Sequence, residues 1–428
     1  MEGNRVGNHA FNIIYKGWRA FPAFCMVLVS GCATFNPHPG DELPFMDRTQ
    51  TQYKAGVRVT AAVPSAEESE KLFGVDLYGS GVQPVWLKIE NTNKKAVFFL
   101  PLGLDPEYFT PFEAAYRNHY AFSTPENDKM DRYFFKQRQR IYIDPDSVIA
   151  GFVYTPVDEG TKGFNVDIIG EDQEFRTFLF FINVPGLRID HYQVDFEHLY
   201  SKEKIVSLDE KDFRRALENL PCCTTNEEGT GHGDPLNLVV IGEGQDVLHA
   251  FIRAGWDEAE TIYSTSAWKT GMSFLFGGRY RYSPVSGLYV YGRRQDAALQ
   301  QARETIHERN HLRLWLSPMR FEDKPVWVGQ ISRDIGVRFW WKTITTHKID
   351  PDVDETRGFL VQDLWYSHGL LKFAFVKGVG EASISDPRRT LTNDPYFTDG
   401  LRAMLWVSGT PVDLEDVEFA DWETPPIK

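Results

Sequence analysis

The chain has 428 residues, of which 42% are hydrophobic and 25% are charged, and its net charge is −14. This length is enough for two ordinary domains, and the composition is that of a globular protein. The excess of acidic residues argues against binding to nucleic acid and against docking on anionic lipid headgroups.

The first segment of the chain has the organisation of an export signal. Lys16 and Arg19 precede an apolar run over residues 20–31, which ends in Val29-Ser30-Gly31 and is followed by Cys32. The run is too short for a helix that crosses a bilayer, but it fits the hydrophobic part of a signal peptide. A buried element at the start of a cytosolic domain is the alternative.

The same residues resemble the lipobox of a bacterial lipoprotein. The resemblance implies that a signal peptide, residues 1–31, is cleaved before Cys32, whose sulfur then carries a diacylglyceryl group. Residues 32–56 would form a tether, and the protein would face the periplasm from a membrane that it contacts through its N-terminal lipid. Ala33, rather than an aspartate, follows the cysteine, which by the same resemblance favours the outer membrane.

Two adjacent cysteines would remain in the mature chain, Cys222 and Cys223. Because thiols in an oxidising compartment tend to pair, a disulfide between these neighbours is one interpretation. Two free thiols or a crosslink to another chain are the alternatives.

Residues 57–206 are predicted to form an antiparallel β-sandwich. Hydrophobic residues alternate with other residues in four runs, at 85–89, 148–154, 164–168 and 178–184. Period-two patterns that turn residues interrupt at short intervals are typical of such sandwiches. The aromatic and charged stretch 108–140 departs from the pattern, and we interpret it as a helical insertion packed on the sheet rather than a ligand groove.

A helix and a linker, residues 207–231, are predicted to join the two halves of the chain. Ser207 and Glu210 have the spacing of a capping box, and Pro221 ends the helical pattern. The polar, glycine-containing stretch that follows has the composition of a linker.

Residues 232–410 are predicted to form a mixed α/β domain. The patterns indicate strands at 238–241, 288–291, 311–316, 326–332, 371–376 and 402–407, and helices at 245–254, 295–308 and 352–366. Because helices and strands do not alternate regularly, we expect a mixed sheet with helices mostly on one face. The predicted fold class is therefore α+β. The acidic tail, residues 411–428, is predicted to be loose.

Several strings in the second half resemble the C-terminal domain of LssY-type proteins. They include Asp234-Pro235-Leu236-Asn237, Tyr291-Gly292-Arg293, Glu308-Arg309-Asn310-His311-Leu312-Arg313, Ser332-Arg333-Asp334-Ile335-Gly336 and Thr346-His347-Lys348-Ile349-Asp350. The resemblance covers residues 232–380. It implies a domain that is usually attached to membrane proteins, some with lipid-phosphatase-like modules, and it implies no established activity.

The candidates for a catalytic site are His311, Asp334 and His347. On the predicted strand 311–316, His311 and Arg313 face away from the leucines, and Asp334 lies just past the neighbouring strand. A histidine beside a carboxylate can act as an acid–base pair. The alternative is that His311 and Arg313 pair with Asp334 for purely structural reasons.

The candidates for a metal site lie at the start of the predicted helix 352–366. They are His347, Asp350, Asp352 and Asp354. Histidine and carboxylate ligands would suit a divalent metal, which is the one cofactor that the sequence suggests. The alternative is that Asp350 caps the helix, with Pro351 at its first position, and that the other carboxylates stabilise its positive end.

Arginines provide a candidate ligand-binding site of a different kind. A phosphate or a carboxylate could form bidentate hydrogen bonds with Arg293 and Arg313, and with the nearby Arg279, Arg281 and Arg294. We favour the alternative that they pair with carboxylates of this acidic protein. A nucleotide is not expected, because Gly242-Glu243-Gly244 does not complete a phosphate-binding loop.

Two functions follow from these features. The first is an accessory or binding protein of the cell envelope, acting through the LssY-like domain, with an envelope protein as a further partner. The second is a metal-assisted or acid–base hydrolase of a phosphate ester or an envelope lipid. Whether the protein is an enzyme stays open at this point, since no complete catalytic motif is present in the sequence.

Overall fold

The computed structural model describes residues 34–38, 44–171, 173–260, 286–302, 309–340 and 343–426, with the backbone alone for residues 121, 337–340 and 343–347. Cys32, the predicted site of lipidation, lies outside these ranges, as do Arg279 and Arg281. Within the described ranges, no helix is both long enough and apolar enough to cross a membrane.

Strands and helices are both present in each half of the chain. The strands are β1 (Gln50–Lys54), β2 (Val57–Ala62), β3 (Gln83–Asn91), β4 (Val97–Leu100), β5 (Tyr142–Ile143), β6 (Ser147–Thr155), β7 (Gly160–Gly170), β8 (Phe175–Val184), β9 (Val206–Leu208), β10 (Cys223–Thr225), β11 (His232–Pro235), β12 (Leu238–Ile241), β13 (Asp257–Glu258), β14 (Tyr289–Val290), β15 (Arg293–Arg294), β16 (Ala297–Ala302), β17 (Arg309–Phe321), β18 (Lys324–Trp340), β19 (Thr343–Ile349), β20 (Leu370–Lys377), β21 (Arg388–Arg389), β22 (Pro395–Tyr396), β23 (Leu401–Val407) and β24 (Glu418–Phe419). Among the described residues, the α-helices are α1 (Ala66–Phe73), α2 (Pro101–Leu104), α3 (Pro111–Tyr116), α4 (Thr124–Gln137), α5 (Glu210–Glu218), α6 (Gly244–Arg253) and α7 (Val353–Tyr366).

Two four-stranded antiparallel sheets share one core in the N-terminal half, as the alternating patterns predicted. One sheet has the strand order β1-β2-β3-β6, and the other has the order β5-β4-β7-β8. Alternate side chains, such as Leu87 and Ile89 of β3 and Val166 and Ile168 of β7, point into the shared core. This arrangement is a sandwich, in which each sheet buries one face against the other.

The stretch 108–140 is helical and packs on the sandwich, in agreement with the sequence interpretation. The Thr110 hydroxyl accepts a hydrogen bond from the Glu113 amide and caps α3. Phe134 of α4 stacks on Tyr154 of β6, with the ring centres 5.3 Å apart. The aromatic residues of this stretch therefore extend the core beyond the sandwich.

The connection between the two halves differs from the prediction at two points. Asp209, rather than Ser207, caps α5, because its carboxylate accepts the amide hydrogen of Asp212. Ser207 lies in β9, which pairs in parallel with β17 and is thereby held extended. The predicted linker also contains structure, since β10 and β11 pair antiparallel.

A mixed sheet of ten strands organises the second half, as predicted. Its order among the described residues is β13-β16-β17-β18-β12-β23-β20-β24, with β19 paired to β18 and β9 paired to β17. Strand β12 is parallel to β23 and antiparallel to β18. Every residue of β12 is buried, because both faces of the sheet are covered.

The two faces of this sheet pack against different elements. Helices α6 and α7 cover one face, where Phe251 and Leu360 meet Leu312 in a common core. On the other face, Phe213 of α5 and Leu288, next to β14, belong to the core that contains Trp315. Helices therefore lie mostly, but not wholly, on one face.

The predicted helix 295–308 is wrong over the residues that the structure describes. Residues Ala297–Ala302 form β16, which pairs antiparallel with β17. Leu299 faces the core beneath α6, whereas Ala298 and Gln300 are buried on the opposite face. A short strand that is covered on both sides carries small or apolar residues on both faces, so its periodicity resembles that of a helix.

The predicted loose tail is also wrong for most of its length. Strand β24 pairs in parallel with β20. The Trp422 ring lies 6.3 Å from that of Phe213, and Arg214 forms an ion pair with Glu423. The end of the chain therefore packs on the face of the sheet that also holds α5.

Candidate functional site

Strand β17 carries polar side chains on one face of the sheet and apolar side chains on the other. Because side chains alternate along a strand, His311 and Arg313 point to one face of the sheet, while Leu312 and Leu314 point to the other. The leucines belong to the core beneath α6 and α7. His311 and Arg313 are 5% exposed each and lie on the face that carries Trp315.

The structure brings together two of the three catalytic candidates. The Nε2 atom of His311 lies 2.5 Å from Oδ2 of Asp334. Asp334 lies within β18 rather than past the end of the strand, and it is 3% exposed. Burial lowers the pKa of His311 to about 4, although the negative charge of Asp334 opposes this effect.

Two buried arginines flank the histidine on β17. The Arg309 guanidinium donates to the side-chain oxygen Oε1 of Gln300 at 2.6 Å, and its Nε lies 3.6 Å from Oδ2 of Asp334. Burial lowers the pKa of Arg309 to about 10. The Arg313 guanidinium donates to the side-chain oxygen of Gln330 at 2.8 Å. The cluster on this face therefore contains both charged pairs and amide groups.

Arg293, the other candidate for ligand binding, is engaged by a carboxylate. Its Nε and one terminal nitrogen donate to the two Asp296 oxygens at 2.9 and 2.8 Å. The same guanidinium donates to the Tyr200 hydroxyl and to the Leu316 carbonyl. Arg293 therefore forms the bidentate pair with a carboxylate that the alternative interpretation describes.

The carboxylates among the metal candidates take part in contacts at the start of α7, and the side chain of His347 lies outside the described residues. Asp352, not Asp350, caps α7, because its carboxylate accepts the amide hydrogens of Asp354 and Glu355. Asp350 accepts the amide hydrogen of Asp352 at 3.0 Å. His347 belongs to β19, where its backbone faces Val337.

Asp354 is occupied by contacts within the fold. Its two oxygens accept hydrogen bonds from the Thr398 hydroxyl and the Asp399 amide, each at 2.7 Å. Arg357 lies 3.2 Å from the same carboxylate. Over the residues that the structure describes, no group of three or more histidine, cysteine, aspartate or glutamate side chains is arranged to hold a metal ion.

A cavity of about 440 Å³ opens on the opposite face of the sheet from His311. Leu314 of β17, Leu299 of β16 and Trp327 of β18 form its floor, and Phe196 and the first turn of α6 form its walls. Its volume falls within the range of small-molecule sites. No motif in the sequence predicted this cavity, because its residues come from distant segments of the chain and none of them is unusual by itself.

A buried acid and a histidine lie at the junction of the two halves. Oε2 of Glu258 accepts the amide hydrogen of Thr161 at 2.7 Å, and Oε1 lies 3.2 Å from Nε2 of His191. Burial raises the pKa of Glu258 to about 7 and lowers the pKa of His191 to about 4. Sequence reasoning missed this pair, which joins three segments far apart in the chain.

The two adjacent cysteines are joined by a disulfide, with their Cα atoms 3.7 Å apart. Cys223 is buried and its Sγ lies 3.5 Å from the Tyr396 hydroxyl. The carbonyl of the preceding Pro221 accepts a hydrogen bond from Arg402 at 2.8 Å. The pair thus lies at the end of α5, where the chain enters the small sheet of β10 and β11.

Comparison with known proteins assigns the second half to a family. No curated protein is significantly similar to the chain. A family model described as LssY C-terminus matches residues 214–401, a range that begins within α5, ends at the first residue of β23 and includes the His311 cluster. Residues 214–401 of this chain are therefore an LssY C-terminal domain.

Proposed function

We propose that the protein is a binding or accessory protein of the cell envelope that acts through its LssY C-terminal domain. The observation that carries this proposal is the position of the cavity relative to the polar cluster. The cavity is lined by Leu314 and Leu299, whereas His311 and Arg313 lie on the other side of the same strand. A ligand in this cavity does not meet the acid–base pair.

The alternative is a hydrolase that uses the cluster on the opposite face. The hydrogen bond between His311 and Asp334 favours it, because a carboxylate that orients a histidine is a recurrent feature of acid–base sites. Two features weigh against it. Nε2 is engaged by Asp334, and the imidazole is buried, whereas a general base needs to reach the proton that it abstracts.

A rate measurement separates the two functions. The full chain with Cys32→Ser is assayed with p-nitrophenyl phosphate and bis-p-nitrophenyl phosphate, with and without added Mg²⁺ or Zn²⁺, beside His311→Asn. The binding proposal expects no release of nitrophenol that depends on His311. Hydrolysis that the His311→Asn variant loses, while its circular dichroism spectrum stays unchanged, would establish the hydrolase instead.

The envelope location is part of the proposal and is supported by the sequence around Cys32. The apolar run before this cysteine and the small residues Ser30 and Gly31 resemble a lipoprotein signal and support this part of the proposal. The Cys222–Cys223 disulfide is consistent with an oxidising compartment. Attachment through several acyl chains would hold the protein firmly on a membrane, which in this proposal is the outer membrane.

Cell fractionation tests the lipid attachment. The wild-type chain should sediment with membranes and become labelled in cells fed an alkyne-bearing palmitate. The Cys32→Ser variant should lose the label and leave the membrane fraction, whereas Cys25→Ser should do neither. A Cys32→Ser variant that stays with the membranes would refute attachment through this residue.

A further inference from the structure

We propose that the cavity between α6 and the sheet binds the hydrocarbon part of an uncharged amphiphile. The inference rests on the proposed binding function and names the chemistry of the ligand. The cavity is formed by β16, β17 and β18 from below, by the start of α6 on one side and by the segment around Phe196 on the other.

The interior of the cavity offers apolar contacts. Leu299, Leu314 and Leu316 line it from the sheet, and Trp327 closes its floor. The indole nitrogen of Trp327 donates to the Gly242 carbonyl at 3.1 Å, so it does not compete for a polar ligand. The Phe196 ring lies 5.6 Å from the Trp327 ring and covers it. A chain of methylene groups would gain burial here, whereas a polar group would lose its water without a partner.

Small residues keep the cavity open. Ala297 of β16 presents only a methyl group to the space, and Gly244 begins α6 without a side chain. A β-carbon at Gly244 would lie 3.4 Å from the Trp327 ring. A larger side chain at Ala297 would project into the volume that the ligand requires, without removing any core side chain.

The rim of the cavity is polar but carries little net charge. Glu243 lies 3.5 Å from Arg320, so that its negative charge is partly balanced. Gln245 adds an uncharged amide, and His191 is neutral at pH 7 because burial lowers its pKa to about 4. Such a rim can hydrogen-bond an uncharged headgroup. An anionic headgroup would meet the negative charge of Glu243 at the rim.

Fluorescence of N-phenyl-1-naphthylamine, an uncharged apolar probe, tests the site. The probe is titrated into the full chain with Cys32→Ser, without detergent, and into the same chain with Ala297→Trp. A matched control, Ile384→Trp, adds the same bulk at a side chain that is 75% exposed. We expect saturable binding that Ala297→Trp weakens at least tenfold and that Ile384→Trp leaves unchanged. Equal affinity in all three chains would place the probe elsewhere and overturn the proposal.

Displacement of the probe tests the charge of the ligand. Monodecanoin and decanoate share an acyl chain and differ in the charge of the headgroup. Monodecanoin should displace the probe at a concentration at least tenfold lower than decanoate. Equal or better displacement by decanoate would overturn the assignment to uncharged ligands. Failure of the probe to bind refutes this site alone, whereas hydrolysis that depends on His311 refutes the proposed function whatever the probe does.

Discussion

The His311 imidazole and the Asp334 carboxylate meet across neighbouring strands, with Nε2 and Oδ2 2.5 Å apart. Both residues are buried on the face of the sheet that is turned away from the apolar cavity. A buried polar pair stabilises a fold only when both groups are hydrogen-bonded. Removal of one partner leaves the other buried without a hydrogen bond, which lowers the free energy of unfolding. Substitution of either residue should therefore change the stability of the domain, whether or not the pair has a catalytic role.

The stability of the protein should fall in acid partly because of His311. Its pKa is about 4 in the folded chain and 6.5 in a free histidine, so the unfolded state binds the proton first as the pH drops. Stability is present above pH 6.5 and is lost as the pH falls through about 4, by up to about 3 kcal/mol. Urea unfolding of wild-type and His311→Asn chains between pH 4 and 7 measures this difference.

A matched control distinguishes His311 from the other buried histidine. His191 has its pKa lowered to about 4 by the same cause and should contribute with the same sign. His191→Asn should therefore remove a comparable part of the acid dependence, and the double variant should remove both. If the unfolding free energy of His311→Asn keeps the full wild-type dependence on pH, the pKa of His311 is the same in the folded and unfolded chains, which would contradict the prediction.

Glu258 should give the stability of the protein a pH dependence of opposite sign to that from His311. Its pKa of about 7 lies above the 4.5 of a free glutamate, so the folded state holds the proton and stability is lost as the pH rises from about 4.5 through 7. Glu258→Gln imitates the protonated form and should gain up to about 3 kcal/mol over wild type between pH 5 and pH 8. Thermal unfolding at both pH values provides the comparison, with the exposed Glu70→Gln as control. A constant difference between the two pH values would contradict the buried, protonated state.

The carboxylates near the start of α7 should contribute to stability and not to metal binding. Asp354→Ala removes the acceptor for Thr398 and Asp399 beside Arg357, and should cost about 3 kcal/mol. Asp352→Ala removes a helix cap and should cost about 1 kcal/mol. Unfolding titrations measure both losses. A rise in melting temperature on addition of Mg²⁺ or Zn²⁺, abolished by Asp352→Ala, would be evidence for a metal site.

Arg293 should prove to be a structural residue. Arg293→Lys keeps the charge but cannot form both bonds to Asp296, so it should destabilise the protein by about 1–2 kcal/mol. Inorganic phosphate at millimolar concentration should not raise the melting temperature of the wild-type chain. A phosphate-dependent rise that Arg293→Lys removes would restore Arg293 as an anion-binding residue.

The sandwich was predictable because each of its sheets buries one face. Alternation at 85–89 or 164–168 reports directly which side chains face the core. In the second half, β16 is covered on both sides, so its composition does not identify it as a strand. The predicted cap of α7 lay two residues before the observed one, because both Asp350 and Asp352 have side chains that can cap a helix.

Only the part of the candidate site that lies on the paired strands β17 and β18 could be predicted from the sequence. Alternation placed His311 and Arg313 on one face, and the pairing of β17 with β18 brought Asp334 to His311. The cavity and the contact between Glu258 and His191 depend on how distant segments pack. Such contacts leave no periodic pattern in the sequence.

Titration of N-phenyl-1-naphthylamine into the full chain with Cys32→Ser, with and without the further change His311→Asn, measures whether the ligand depends on the polar face of the sheet. Because His311 and Leu314 point to opposite faces of β17, we predict that the two dissociation constants agree within about twofold. A loss of affinity of about tenfold or more in a variant with an unchanged circular dichroism spectrum would contradict it, since the ligand would then depend on the polar face.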